Sequence, residues 1–118
     1  MSEEAHLTGA KADLHRLLAA LIKLALSADA PEAATWRAEA QNAQRRLAAE
    51  PGAIAALHLD SLWALAVKTA ESDPAVRRDE TVNPMLPTML PLPKDRIATP
   101  AFEFDEALET IRDVASFG

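Results

Sequence analysis

Apolar residues near the start of the chain recur at three and four positions: Leu14, Leu17, Leu18, Leu21, Ile22 and Ala25. This spacing marks one face of a helix, predicted over about residues 9–28, with Thr8 placed to cap it. Ala10, Ala12, Ala19 and Ala20 add helix propensity and leave room for close packing. A second stripe, Ala33, Trp36, Ala40, Ala43 and Leu47, predicts a helix over about 31–49. Asp29 is its expected cap, Pro31 suits its first turn, and Glu32 suits the positive end of its dipole. The stripe is narrow and made of small residues, so Trp36 must supply much of its burial.

Pro51 marks the next boundary, because the residue before a proline is pushed out of helical geometry and proline itself fits a first turn. The third helix is predicted over about 51–71. Ile54, Leu57, Ser61, Leu62, Leu65 and Thr69 define its face, and Leu59, Trp63 and Ala66 widen the apolar surface. Such breadth implies contact on more than one side. Leu108, Ile111 and Ala115 keep helical spacing and predict a short C-terminal helix over about 105–115, with Asp105 as cap and Phe104 pinning its entry. β-branched residues are sparse and never alternate with polar ones, so no strand is expected.

Between these helices runs Asn83-Pro84-Met85-Leu86-Pro87-Thr88-Met89-Leu90-Pro91-Leu92-Pro93. Four prolines exclude a helix here, and the apolar residues between them make a poor solvated linker. Repeated prolines favour polyproline II, which turns once in three residues. Leu86, Met89 and Leu92 then share one edge, an apolar stripe that needs a groove in this chain or in a partner. From Glu80 to Thr99 no regular structure other than this extended arm, about 80–100, is expected. The economical architecture is all-α: three antiparallel helices, the arm, and the short final helix, in a single domain over residues 1–118. A chain of 118 residues buries roughly two thirds of the surface its unfolded form exposes, so one core needs no staples.

Charge narrows the partners. The net charge of −6 opposes general affinity for phosphate backbones, which rests on clustered Lys and Arg, so no nucleic-acid partner is expected. Residues 101–118 carry Glu103, Asp105, Glu106, Glu109 and Asp113 against Arg112 alone, an acidic helix suited to a basic partner. Residues 17–26 imitate a targeting signal, but Glu3, Glu4 and Asp13 precede them where positive charge is required, and Lys23 interrupts the run. The run also falls short of the roughly 20 residues that span a bilayer. With no cysteine in the chain, a cytoplasmic protein without membrane contact is expected.

Candidate chemistry is thin. His6, His15 and His58 have no partner histidine or carboxylate at metal or triad spacing and read as structural, so no metal or other cofactor is assigned. Glu3-Glu4, Asp79-Glu80 and Asp105-Glu106 are adjacent pairs, which on a helix point about 100° apart rather than at one substrate. No catalytic residue is assigned, and the chain reads as a non-enzyme. Arg37, Gln41 and Arg45 lie at four-residue spacing beside Trp36 and read as a solvated stripe or a binding patch.

Several segments together resemble the bacterial helical proteins of domain-of-unknown-function family twenty-nine. They are Leu17-Leu18-Ala19-Ala20-Leu21-Ile22-Lys23, Trp36-Arg37-Ala38-Glu39, Arg45-Arg46-Leu47, Pro51, Trp63 with Ala66, and Phe102-Glu103-Phe104-Asp105-Glu106-Ala107-Leu108. Members often have histidine at the place of Ala20 and arginine at the place of Gln44, and usually a further acidic, aromatic N-terminal segment not found in these residues. The resemblance implies a helical bundle with its extended arm packed back on it, and brings no reaction or cofactor.

The expected function is a non-enzymatic protein–protein interaction or regulatory module, with Trp36, Arg37, Arg45, Trp63, Leu86, Met89 and Leu92 as candidate contacts and a homodimer as one form of association. The alternative is a small-ligand-binding or enzymatic bundle with a pocket near Trp36 lined by Arg37 and Arg45. Burying Leu86, Met89 and Leu92 is worth roughly 1.5–3 kcal/mol each. Met89→Asp therefore lowers the melting temperature if the arm docks on its own chain, and weakens association instead if it docks on a partner. Unchanged melting and unchanged assembly would show that the arm docks nowhere.

Overall fold

The leucine stripe forms α1 (Gly9–Leu26), and its burial exceeds one face. Residues 17–22 are all buried, as are Leu14 and Leu24. Successive helical residues step by about 100°, so an uninterrupted buried run means neighbours on every side. The computed structural model describes residues 9–27, 31–50, 52, 57–73, 90–92, 97, 99 and 102–114. Among these residues the regular structure is all helical, with no strand: α1 is followed by α2 (Ala33–Ala49), α3 (Leu59–Glu71) and α4 (Phe104–Val114). Each of α2, α3 and α4 packs on α1.

The predicted face of α2 is the one that is buried: Trp36, Ala40, Ala43 and Leu47, with Ala33 packed at its edge. Ala40 and Ala43 have no exposure, so the small residues are spent inside the molecule, where they let α1 approach closely. Pro31 and Glu32 form a turn ahead of the helix rather than its first turn. The Trp36 N–H donates to the Glu32 carbonyl at 3.0 Å, which makes Glu32 the capping position. Thr8 and Asp29, the expected caps, lie outside the described residues.

The third helix departs most from expectation. It begins at Leu59 and not near residue 51, because Leu57 and His58 are non-helical and His58 has ψ of 89°. The Leu62 N–H donates to the His58 carbonyl at 3.1 Å, and Asp60 falls in the first turn, where the helix dipole favours a carboxylate. Its core face is also rotated from the expected one. Leu59, Leu62, Trp63, Ala66 and Ala70 are buried, whereas Ser61 is exposed and Leu65 and Thr69 are half-buried. Ile54 lies outside the described residues. Leu57 still packs against the core, but from a bend.

α4 starts one residue before the predicted boundary, with Phe104 inside it. The Glu103 carbonyl accepts the Ala107 N–H at 3.0 Å, so Asp105 sits in the first turn instead of capping it. Phe102 and Phe104 meet edge to face with ring centroids 4.9 Å apart, and both pack on the core at the helix entry. Ala107, Leu108 and Ile111 are buried.

Of the arm, the structure describes residues 90–92, 97 and 99. Leu92 is buried, and Leu90, outside the expected stripe, packs on the core as well. Leu86 and Met89 lie outside the described residues. Ile97 is helical and fully buried, against the expectation that no regular structure besides the arm occurs before Thr99.

Two substitutions test the hub. Leu21→Ala removes a fully buried side chain of α1 and is expected to cost about 2–5 kcal/mol in urea denaturation. Ala43→Leu forces bulk into the fully buried face of α2 and is expected to cost about 1–3 kcal/mol. Ala34→Leu, on the exposed side of α2, is expected to stay within about 0.5 kcal/mol of the parent.

Candidate functional site

The helical period that buries one side of α1 brings a mixed row to another. Ala12, His15, Arg16, Ala19, Ala20 and Lys23 recur at three and four positions, and with Glu39 of α2 and Thr69 of α3 they line a groove of about 320 Å³. Alanines form its apolar lining, while the polar groups belong to three different helices.

His15 and Thr69 close one side. Their Nε2 and Oγ1 atoms are 3.0 Å apart, and the Thr69 hydroxyl donates to the Leu65 carbonyl at 3.0 Å. The two contacts form one polar chain from α1 through Thr69 to the α3 backbone. The histidine read as structural thus has a specific partner across the α1–α3 contact.

Lys23 joins three elements. Its ammonium lies 3.0 Å from Asp73 Oδ2, just beyond α3, and 5.9 Å from the ring centroid of Trp36 on α2. The side chains of Lys23 and Asp73 are only 15% and 23% exposed. In that partly desolvated setting, the ion pair and the ring face are both stronger than at an open surface. The residue that interrupts the apolar run is therefore a polar joint of the bundle. Asp13 makes a second joint, accepting from Arg46 Nε at 2.8 Å and from Arg16 Nη1 at 3.2 Å.

The residues singled out from the sequence fall elsewhere. Trp36 and Trp63 are buried in the core, and Leu92 is buried with them. Arg37 and Arg45 are exposed and do not line the groove. Arg37 comes within 3.9 Å of Asp105, whose side chain is 92% exposed, a geometry that contributes little in water. Gln44 was not singled out, yet its Nε2 donates to the carbonyls of Ile97 at 3.1 Å and Thr99 at 2.7 Å. Asp60 does the same for the other described piece of this region, accepting the Leu90 N–H at 2.9 Å. A single sequence shows no signal for such clips, because a glutamine on a helix is ordinarily a solvated residue.

No family model, no curated protein and no solved structure matches this chain. Among the described residues no helix is long and apolar enough to cross a membrane.

Gln44→Ala removes both clips; the part-buried Ile97 carbonyl loses its Gln44 donor, while the Thr99 carbonyl keeps the Phe102 N–H at 3.2 Å. It is expected to lower stability by about 1–3 kcal/mol in urea denaturation. Gln41→Ala, on the exposed side of the same helix, should change it by no more than about 0.5 kcal/mol.

Proposed function

We propose that this chain is a small non-enzymatic protein–protein interaction module of the cytoplasm. In this reading it is an antiparallel helical bundle with its proline-rich arm laid back on it, and the outer face of α4 meets a basic partner. The supporting observation is the two-sidedness of α4. Ala107, Leu108 and Ile111 are buried, while Glu103, Asp105, Glu106, Glu109 and Asp113 are all exposed. Arg112, the basic residue of that helix, turns back to donate to the Ala25 carbonyl at 3.4 Å. A fixed field of one sign steers a complementary surface into contact and weakens as salt rises.

The same charges oppose a second copy of this face, so a homodimer would have to use another surface. The alanine stripe of α2 is not available for it, since Ala40 and Ala43 are buried within the chain. Among the described residues Val114 is the large apolar side chain that is exposed. The chemistry of α4 therefore favours a different, basic protein as partner. The resemblance to bacterial helical proteins of unknown function agrees with a helical module and adds no activity. A second reading, a small-ligand-binding bundle, is favoured by the groove between α1, α2 and α3.

Reversing three outer charges, Glu106→Lys, Glu109→Lys and Asp113→Lys together, tests the first reading in affinity capture at low and high salt. A basic protein retained at low salt, and lost both at high salt and with the variant, is the expected result. The variant should melt with the parent, because the changed side chains are exposed. Equal capture by parent and variant would contradict the assignment of this face.

A further inference from the structure

We propose that the groove between α1, α2 and α3 binds a small zwitterion of the amino-acid type, with a carboxylate and an ammonium joined by a short aliphatic stem. This deepens the ligand-binding reading and rests on it. The walls carry opposite charges: Arg16 and Lys23 from α1, and Glu39 from α2. Arg16 gives Nη1 to Asp13 and makes no further hydrogen bond among the described residues, which leaves most of its fork for a carboxylate. Lys23 is tied to Asp73 and adds positive potential rather than a released contact.

Glu39 is exposed and makes no ion pair among the described residues, although it lines the same groove as two cations. A simple anion drawn to Arg16 meets the Glu39 carboxylate, and a simple cation drawn to Glu39 meets Arg16 and Lys23. A ligand carrying both charges answers both walls. Ala12 offers apolar surface for the stem beside the nearly covered Ala19 and Ala20, and the His15–Thr69 pair provides a polar edge. A volume of about 320 Å³ is enough for a small molecule.

The test is calorimetric and NMR titration of the full chain with 4-aminobutyrate and 5-aminopentanoate. Butyrate serves as the carboxylate alone and butylamine as the amine alone. Saturable binding of at least one zwitterion is expected, with both half-molecules at least about tenfold weaker, a difference of about 1.4 kcal/mol. Arg16→Gln and Glu39→Gln should each weaken it about fivefold or more, while Arg37→Gln leaves it unchanged and all variants melt like the parent. Butyrate or butylamine binding as tightly as the zwitterions would overturn the zwitterion assignment while leaving a ligand groove in place. Absence of binding by all four probes, with the His15 and Thr69 resonances unmoved, would end both readings. Zwitterion binding that ignores Arg16→Gln and Glu39→Gln would place the ligand elsewhere and refute the proposal.

Discussion

The structure depends on the burial of the middle of α1, residues 17–22. Leu17, Leu18, Leu21 and Ile22 have no exposure, and the neighbouring Ala19 and Ala20 have almost none. Apolar surface of that extent is costly to leave in water, and α2, α3 and α4 each cover part of it. Large residues on α1 are matched by small ones on its neighbours, such as Ala40 and Ala43 on α2 and Ala66 and Ala70 on α3. Trp36 and Trp63 are buried in the same core. Apolar burial alone is non-directional, however, and would permit each covering helix to slide or rotate.

Polar joints at the rim of this contact supply the direction. His15 with Thr69, Lys23 with Asp73 and the face of Trp36, and Asp13 with Arg46 link α1 to α3, to the turn just beyond α3, and to α2. Gln44 and Asp60 then fasten the backbone of Ile97 and Thr99 to α2 and that of Leu90 to α3. None of these bonds is individually strong, since most lie at half-exposed positions. Their value is geometric, because each is satisfied at one register of the packed helices. The same arrangement turns charged residues outward on α4 and brings mixed charges together over the alanines of α1.

Much of the core was legible in the sequence because it follows a single period. The α1 and α2 stripes are the buried faces, and Leu108 and Ile111 anchor the last helix. The third helix was misread for a physical reason: Pro51 looks like a helix start, and Ile54, Leu57 and Ser61 continue a helical spacing. The conformation at His58 breaks that register and rotates the true face onto Leu59, Trp63, Ala66 and Ala70. The groove was less legible still. His15, Lys23, Glu39 and Thr69 come from three helices, so their proximity is a property of packing and not of spacing. Arg37 and Arg45 carried the more suggestive pattern along the chain, but they sit on the side of α2 that faces solvent.

Native-state hydrogen exchange tests the central role of α1 most directly, because it ranks helices by the free energy needed to open them. The amides of residues 18–24 should be the slowest in the molecule and exchange only with global unfolding. Those of α4, a shorter helix held on one side, should open at lower free energy. Faster exchange in α1 than in α2 or α3 would contradict the account, since a helix enclosed by the other three cannot open before they do.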